Sequence, residues 1–386
     1  MGARGGVKIF VIAGEPSGDK LGGALLAGLR ELQPMAQFDG IGGPDMAAQG
    51  LVSRFEMSDL SVMGIAEVLP RAPLLLRRIR ETAQAIADTR PDLVITIDSP
   101  DFCLRVLRRA RAARPDLPVV HYVAPSVWAW RPGRAAKMAP LVDHVLALLP
   151  FEPPYMEAAG MSCDFVGHPV VTEPRATEAE RAALRVRFPD PILLVLPGSR
   201  RGEIARHAPI FGAALARLGA TGMQVLVPSV AARAADMGAA VKDWPVAAHV
   251  LTDPGEKRAA FDLADLALAA SGTVSLELAA SQTPMVIAYD VNRLTRWLAE
   301  RLIRIDTVTL VNLVSETRAI PECLGRDCQP QKIAQHLRSL RDTPAARAAQ
   351  LQAMQTTMTR LGQGQTAPGQ RAAQSVLNFL ERRRNL

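Results

Sequence analysis

The sequence predicts an α/β fold of two doubly wound domains that face each other across a cleft, followed by a helical C-terminal tail. Short apolar runs rich in β-branched residues alternate with longer segments of helical period, which is the pattern of repeated strand–helix units on a parallel sheet. The alternation stops at a polar, Pro-containing segment, residues 168–180, and then starts afresh, so this segment is the predicted linker. A chain of 386 residues also exceeds what one hydrophobic core usually serves.

The predicted elements follow from runs of apolar and β-branched residues bounded by turn residues. The first domain is expected to span residues 1–170, the second residues 171–330, and the helical tail, expected to pack back across the cleft, residues 331–386. The strands predicted for the first domain are Lys8–Ala13, Leu93–Ile97, Val119–Val123 and Val145–Leu148, with helices such as Asp19–Leu32 and Pro73–Asp88. Those predicted for the second are Ile192–Leu196, Gln224–Val227, His249–Leu251, Leu266–Ala269 and Met285–Tyr289.

The composition excludes several classes of protein. Hydrophobic residues make up 48%, which is typical of a globular protein, and no run of about 18 uncharged apolar residues suggests a membrane-spanning helix. The N-terminus shows no signal-peptide cleavage pattern, and the four widely spread cysteines are expected to be free thiols in a reducing cytoplasm. The six histidines show no metal-binding spacing. A net charge of +7 suits nucleic acid, anionic lipid or a phosphorylated small molecule.

The segment AGEPSGDKLGG, residues 13–23, closes the first strand and opens the first helix. It matches neither the dinucleotide-binding pattern nor the P-loop pattern. One interpretation is turn chemistry alone, with Ser17 or Asp19 capping the helix. The other is a ligand-binding loop, because open α/β sheets place their sites at the carboxyl ends of strands.

The segment TIDSPDF, residues 96–102, leaves a strand at the same edge of the predicted sheet and carries two carboxylates, Asp98 and Asp101. Pro100 fixes the turn between them. Asp101 suits either a helix N-cap or a general base, because a base needs a rigid strand end within reach of the group that it deprotonates. The D-x-x-D spacing differs from the D-x-D of metal-dependent transferases, so it implies no metal.

The segment LPGSRRGEI, residues 196–204, repeats this strand–turn–helix geometry in the second domain. Gly198 and Ser199 allow the backbone to approach a phosphate, and Arg200 or Arg201 adds a charge-assisted contact. A plain turn between strand and helix explains the Gly and the Ser but not the pair of Arg residues. Phosphate binding is therefore the favoured interpretation.

The segment ASGTVSLELA, residues 270–279, predicts a third helix start. Ser271 suits the N-cap position and Gly272 and Thr273 open the helix, which leaves backbone N–H groups to meet an anion. Glu277 lies one turn after Thr273, so a diphosphate at the helix tip would bring this carboxylate near ribose hydroxyls. An ordinary capped helix with an acidic first turn explains the same pattern equally well.

The segment HYVAPSVWAWRPGRAAK, residues 121–137, places Trp128 and Trp130 before a run of cations that begins with Arg131. By composition it resembles a platform on which bases stack. Its position at the end of the strand Val119–Val123 instead predicts that these side chains line the cleft near Asp101.

Two segments, residues 63–82 and 292–305, combine an apolar stripe with Arg residues. Basic amphipathic helices suit an anionic membrane surface. They equally suit a helix whose apolar face packs on the core and whose basic face is exposed to solvent, which is the commoner case.

Together these motifs resemble those of one family, the lipid-A-disaccharide synthases, which are glycosyltransferases with two Rossmann-like domains of the GT-B type. The resemblance covers nearly the whole chain, and PSVWAWR in this order with the other motifs is highly specific. The matching motifs are GEPSGD at 14–19, SVMGIAEVLP at 61–70, IDSPDF at 97–102, PSVWAWR at 125–131, FVGHP at 165–169, LPGSR at 196–200, SGTVSLE at 271–277 and VNL at 311–313.

The resemblance implies an inverting transfer of a 2,3-diacylglucosaminyl unit from UDP to 2,3-diacylglucosamine 1-phosphate, which gives a β-1,6-linked disaccharide 1-phosphate and UDP. The catalytic residue that it implies is Asp101, as the base on the acceptor 6-hydroxyl. The residues implied on the acceptor side are Gly14, Glu15, Ser17, Gly18, Asp19, Asp98, Trp128, Trp130 and Arg131. Those implied to bind UDP are Gly198, Ser199, Arg200, Arg201, Ser271, Gly272, Thr273, Glu277 and Asn312.

The resemblance further implies a peripheral enzyme on the cytoplasmic face of the inner membrane of a Gram-negative bacterium. It implies contact with an anionic membrane surface and no cofactor, metal or nucleic acid. The chain departs from the family at Pro16, where the family often has a small residue, and at Arg201, which leaves open which of Arg200 and Arg201 contacts the diphosphate. A UDP-sugar epimerase or another lipid-linked UDP-sugar transferase shares this architecture, and a basic, non-catalytic adaptor is the alternative from another class.

Overall fold

The computed structural model describes residues 6–60, 65–220, 222–291 and 305–385, with the backbone alone at 65–69. The chain divides into two units, one formed by Met1–Pro169 with Gly364–Leu386 and the other by Val170–Gln363. Each unit contains a six-stranded sheet in which every pair of neighbouring strands is parallel. Helices follow most of the strands, as parallel connections require.

The sheet of the first unit has the strand order β2-β1-β3-β4-β5-β6. Its strands are β1 Lys8–Ala13, β2 Gln37–Ile41, β3 Leu93–Ile97, β4 Val119–Tyr122, β5 His144–Ala147 and β6 Ser162–Phe165. The helices that accompany them are α1 Pro16–Leu32, α2 Pro44–Ala48, α3 Ile65–Thr89, α4 Pro100–Ala113, α5 Gly133–Met138 and α6 Pro153–Glu157. Every residue of β3 is buried, because helices cover both faces of a parallel sheet and so demand apolar residues on both.

The sheet of the second unit contains strands β7 to β12, in the order β12-β11-β10-β7-β8-β9. These strands are β7 Ile192–Leu196, β8 Gln224–Pro228, β9 Ala248–Leu251, β10 Leu266–Ala269, β11 Met285–Tyr289 and β12 Glu322–Leu324. Its helices are α7 Glu178–Arg187, α8 Arg201–Leu218, α9 Ala234–Val241, α10 Pro254–Leu263, α11 Val274–Ala280, α12 Leu310–Ser315, α13 Pro330–Asp342 and α14 Pro344–Arg360. The last helix, α15 Pro368–Arg384, belongs to the first unit.

The predicted fold class, two doubly wound domains with C-terminal helices, is confirmed. Strands β1, β3, β7, β10 and β11 have the predicted bounds, and β4, β5, β8 and β9 differ from them by one residue. The sequence did not predict β2, β6 and β12, which all lie at sheet edges. Edge strands are less covered than central ones and do not need a continuous apolar run, so the signal that revealed the central strands is missing from them.

Helix α15 packs closely on α1, and two glycines permit the approach. A Cβ atom on Gly369 would lie 2.6 Å from the carbonyl oxygen of Ala24, and one on Gly28 would lie 3.0 Å from the Cβ of Ala373. Further along α15, Ser375 donates a hydrogen bond to Asp164 at 2.6 Å and lies 2.8 Å from Nε2 of His144. The C-terminal helix is thus held by both close packing and buried polar contacts.

We expect the substitution Gly369→Ala to destabilise the first unit by about 2 kcal/mol, the usual cost of overpacking a filled core. The added methyl group would meet main-chain atoms of α1, which cannot move aside without shifting that helix. Gly133→Ala is the matched control, since a Cβ atom there meets nothing within 4 Å and the change suits a helix. Urea unfolding measures both variants, and equal midpoints for the two would contradict the prediction.

The apolar and basic segment 63–82 contributes residues to α3, which begins before the predicted start at Pro73. Leu76 is 41% exposed, whereas Arg78 pairs with Asp59 at 2.7 Å and with Glu81 at 2.8 Å. Among the described residues, no helix has the length and apolar character needed to cross a membrane. The second basic segment, residues 292–305, lies outside the described residues except for its last position.

Candidate functional site

The strand order places one topological switch point in each sheet. In the first sheet the order reverses between β1 and β3, and in the second between β7 and β10. Ligands of open α/β sheets bind outside the carboxyl ends of the strands at such a point. The segments that follow these four strands are AGEPSGD, DSPDF, PGSR and SGTV. Four of the five predicted ligand-lining segments therefore lie where the topology favours a site, and the fifth, with Trp128 and Trp130, follows the neighbouring strand β4.

In the first unit, the loops after β1 and β3 lie against each other. A Cβ atom on Gly14 would be 2.8 Å from Oγ of Ser99, so a larger residue at this position would require the Ser99 side chain to shift. Asp98 and Ser99 adopt φ angles of +51° and +43°, which are uncommon for residues other than glycine. Such strain persists where the surroundings impose it, frequently at functional sites.

Helix α4 begins directly after this strained turn. Ser99, not Asp101, is its N-cap residue, and the Ser99 carbonyl accepts hydrogen bonds from the N–H groups of Phe102 and Cys103. The interpretation of Asp101 as an N-cap is therefore wrong. Asp101 lies in the first turn of the helix with its side chain exposed, where it is accessible to a substrate.

Asp19 is buried and already satisfied. Its carboxylate accepts hydrogen bonds from the N–H groups of Gly43 at 2.7 Å, Asp45 at 2.9 Å and Met46 at 3.1 Å, and so caps α2. The N-cap of α1 is Glu15, so neither Ser17 nor Asp19 caps that helix as predicted. Among the other predicted residues of this loop, Ser17 is exposed and Gly18 is buried. Asp19 therefore fixes the start of α2 against α1.

The two tryptophans after β4 differ in environment. Trp128 donates a hydrogen bond from Nε1 to Glu152 at 3.3 Å and meets the ring of Phe151 edge-on at 5.2 Å. Trp130 is 37% exposed, and the guanidinium of Arg131 lies 4.2 Å from its ring centroid, close enough for a cation–π contact. Trp128 is thus fixed by its neighbours, while Trp130 and Arg131 present an exposed aromatic and basic surface.

Glu152 is a buried residue that no sequence motif indicates. Its carboxylate also accepts hydrogen bonds from the N–H groups of Leu148 and Leu149 at 3.2 and 3.0 Å. Burial, which outweighs these bonds, raises the pKa of Glu152 to about 7. The only sequence signal was its place in FEPP, directly after β5 and its turn.

In the second unit, the loops after β7 and β10 border one cavity of about 450 Å³. Seven of the residues predicted to bind UDP line it, namely Gly198, Ser199, Arg200, Ser271, Gly272, Thr273 and Glu277. Residues not predicted also contribute, among them Glu203, Ser229, Val230, Lys257 and Phe261. Lys257 pairs with Glu277 at 3.0 Å. The cavity combines cations, hydroxyl groups and a carboxylate, which suits a nucleotide with a sugar and a diphosphate.

Two predicted residues are not brought to this cavity. Arg201 is 79% exposed in its side chain and pairs with Asp236 at 3.0 Å. The side-chain amide of Asn312 is buried, donates to Thr307 and to the carbonyl of Ile320, and accepts from the N–H of Ile320. All polar atoms of the Asn312 side chain are therefore used to close its own turn.

The helix starts also differ from the predictions. Helix α11 begins at Val274 with Thr273 as its N-cap residue, so the prediction that Ser271 caps it is wrong. At the start of α8, the N–H groups of Ser199 and Arg200 donate to the carboxylate of Glu203 at 3.2 Å each. These N–H groups, which were expected to meet a phosphate, are engaged by a residue of the same helix.

The described part of the chain contains no group of three or more His, Cys, Asp or Glu side chains placed to hold a metal ion. His121 lies within the interior strand β4 and is buried, with Nδ1 2.7 Å from Oγ1 of Thr96. Burial lowers the pKa of His121 to about 4. Because the ring stays neutral near pH 7, we assign it to the core.

Comparison with known proteins gives consistent results over almost the whole chain. Residues 9–376 match the model of the lipid-A-disaccharide synthetase family. The lipid-A-disaccharide synthase of Ruegeria pomeroyi is 62% identical over 97% of this chain and 96% of that protein. The synthase of Rhodospirillum centenum is 48% identical over 97% of this chain and 95% of that protein.

Solved structures show the same fold at low sequence identity. A UDP-GlcNAc 2-epimerase from Neisseria meningitidis bound to UDP-GlcNAc has a TM-score of 0.62 and 12% identity, over 97% of this chain and 99% of that one. MurG from Acinetobacter baumannii has a TM-score of 0.56 and 15% identity, over 97% and 99%. Because likeness at this level shows the fold alone, the alternative of an epimerase is not favoured over the family match. The chain therefore belongs to the lipid-A-disaccharide synthase family, and it is a glycosyltransferase that forms the lipid A disaccharide.

Proposed function

We propose that the donor is UDP-2,3-diacylglucosamine and that the acceptor is 2,3-diacylglucosamine 1-phosphate. The products are then the β-1,6-linked disaccharide 1-phosphate and UDP. The observation that carries this proposal is the cavity of the second unit, which gathers the loops after β7 and β10 around one space of about 450 Å³. Its cations, hydroxyl groups and carboxylate suit the diphosphate and the ribose of UDP, and membership of the family indicates the class of sugar.

The diphosphate of the donor is assigned to Arg200 and Ser199. Both line the cavity, and a guanidinium recognises phosphate oxygens with charge-assisted hydrogen bonds. Arg201 pairs with Asp236, which does not line the cavity, and this supports our assignment of the diphosphate to Arg200 and not to Arg201. Glu277, held by Lys257 at 3.0 Å, is assigned to the ribose hydroxyls.

Asp101 is assigned as the general base. It takes the proton of the acceptor 6-hydroxyl as that oxygen attacks the anomeric carbon of the donor. The bond between the anomeric carbon and the diphosphate oxygen breaks in the same displacement, which inverts the configuration, and its electron pair leaves with UDP. Fixed positive and polar groups stabilise the departing charge, and Arg200 supplies the cationic part. The proposal requires no metal ion or other cofactor.

The acyl chains of both substrates place the reaction at a membrane. We assign the protein to the cytoplasmic face of the inner membrane as a peripheral enzyme in contact with anionic lipid. Support comes from α3, where Leu76 is exposed beside the exposed Arg77. Such a mixture of apolar and basic side chains suits the boundary between headgroups and acyl chains.

The test is incubation of the protein with the proposed donor, with and without the proposed acceptor. We expect UDP and the disaccharide to form only when both are present, because the sugar needs the acceptor hydroxyl as its nucleophile. Mass spectrometry of the lipid fraction and a coupled assay for UDP measure the two products. Conversion of the donor without acceptor would contradict the proposal and favour an epimerase instead.

A further inference from the structure

We propose that Glu203 is a positioning residue that holds the Gly198–Arg200 loop in the conformation that binds the donor diphosphate, and that Tyr289 in turn holds Glu203. The inference rests on the proposed function, because it concerns the loop assigned above to the diphosphate. Neither Glu203 nor Tyr289 belongs to the predicted UDP-binding residues. Glu203 contacts residues three and four positions before it, whereas Tyr289 reaches Glu203 only through the tertiary structure.

Glu203 engages the loop with both carboxylate oxygens. Oε2 accepts hydrogen bonds from the backbone N–H groups of Ser199 and Arg200, each at 3.2 Å. Oε1 accepts from the guanidinium of Arg200 at 3.1 Å. The Glu203 side chain is only 17% exposed, and a charged group pairs more strongly when it is partly shielded from water. One side chain thus fixes two consecutive residues of the loop.

Gly198 shows that the loop is built around this carboxylate. Its φ is +125°, a value that favours glycine. A Cβ atom on Gly198 would lie 2.5 Å from the Cβ of Glu203 and 2.7 Å from its Oε2. The close passage of the main chain over Glu203 therefore needs a glycine both for its backbone angle and for space.

Tyr289 fixes the carboxylate from the other side. Its hydroxyl donates to Oε1 of Glu203 at 3.1 Å, and its ring lies 4.8 Å from that of His207, one helical turn after Glu203. Burial together with the nearby Glu203 raises the pKa of Tyr289, so the hydroxyl keeps its proton and stays a donor. Tyr289 is the last residue of β11. Its hydrogen bond to Glu203 therefore links the Gly198–Arg200 loop to the sheet.

His207 ties the ends of two strands together beneath this contact. It is buried, and its Nδ1 lies 2.7 Å from the carbonyl oxygen of Pro197, to which it donates because a carbonyl can only accept. Its Nε2 lies 3.1 Å from the backbone nitrogen and 3.2 Å from the carbonyl oxygen of Asp290. The residues after β7 and β11 are thereby held on a rigid base, which is what a preorganised binding loop needs.

Calorimetric titration with UDP and with uridine tests the inference. These two probes differ only by the diphosphate. We expect Glu203→Gln to weaken UDP binding about tenfold or more, the cost of a lost hydrogen bond to a charged group, with uridine binding within about twofold of the parent protein. Tyr289→Phe keeps the ring and removes only the hydroxyl, so it should weaken UDP binding severalfold with the same selectivity. Tyr155→Phe, at a half-exposed position in α6, is the matched control and should bind as the parent protein does.

The outcomes separate the inference from the function on which it rests. Equal losses for UDP and uridine would mean general damage to the cavity and would overturn a positioning role. Unchanged UDP binding in both Glu203→Gln and Tyr289→Phe would also overturn it, because the carboxylate would then have no effect on diphosphate binding. Tighter UDP binding in both variants would overturn it as well, because the carboxylate would then repel the diphosphate. If the parent protein itself binds uridine as well as UDP, the diphosphate site is wrong and the inference fails with it.

Discussion

Asp101→Asn is expected to lower the turnover of disaccharide formation by about 10²- to 10⁴-fold, the range that a general base contributes. The amide has the shape of the carboxylate but cannot take the proton of the acceptor hydroxyl. UDP binding is expected to stay unchanged, because Asp101 belongs to the first unit and the UDP cavity to the second. Steady-state turnover and a UDP titration on the same preparation measure the two effects.

The local structure explains why Asp101 suits this role. A base must be held within reach of one hydroxyl, and Asp101 follows two residues with positive φ and a proline at the first position of α4. The tight contact between Gly14 and Ser99 fixes this turn against the loop after β1. The carboxylate is therefore exposed on a rigid support.

Asp45→Asn is the matched control for this experiment. Asp45 also follows a proline at the start of a helix, α2, in the same unit, and its side chain is exposed. Its replacement removes the same charge in the same local setting and should leave turnover unchanged. Normal turnover in Asp101→Asn would remove Asp101 from the reaction, and equal losses in both variants would point to a general charge effect.

The central strands were predictable because a buried parallel strand has one dominant requirement. It must be apolar on both faces, and β3, with all five residues buried, shows that pattern in the sequence alone. The edge strand β2, with the sequence QFDGI, satisfies a weaker requirement and has an exposed and two half-buried residues. Its pairing with β1 depends on the rest of the sheet, which local sequence does not display.

The candidate site was predictable to the extent that it depends on strand ends. Ser199, Arg200 and Glu277 follow strands whose positions the sequence revealed, and the topology then brings them to one cavity. Asp19 and Asn312 were different, because a polar side chain in a motif gives no sign of whether a ligand or the protein's own backbone satisfies it. Only the structure shows their partners.

Residues that act through distant contacts were missed for the same reason. Tyr289 lies 86 positions after Glu203 in the chain yet donates to its carboxylate. Glu152 lies 24 positions after Trp128, whose ring it holds. Sequence spacing can indicate contacts within one helix or turn, but pairs such as these arise only when a sheet brings the ends of separate strands together.

The buried Glu152 is expected to make the stability of the first unit depend on pH. The pKa of Glu152 is raised from an ordinary value of 4.5 to about 7, so the folded state retains a proton that the unfolded state loses between these values. The free energy of unfolding therefore falls as pH rises from about 4.5 to about 7. A shift of this size corresponds to about 3 kcal/mol.

Glu152→Gln should remove this component, because the amide resembles the neutral acid and does not ionise. In the parent protein, this carboxyl group should lower the free energy of unfolding by about 2.5 kcal/mol between pH 5 and pH 8. Urea unfolding of Glu152→Gln at the two pH values should show that this loss is absent. Glu157→Gln, at an exposed position on α6, is the control and should retain the parent's pH dependence. If Glu152→Gln keeps the full dependence as well, the carboxyl group of Glu152 is not its source. The same carboxyl group accepts a hydrogen bond from Trp128, so its ionisation would act next to one of the tryptophans predicted to lie on the acceptor side.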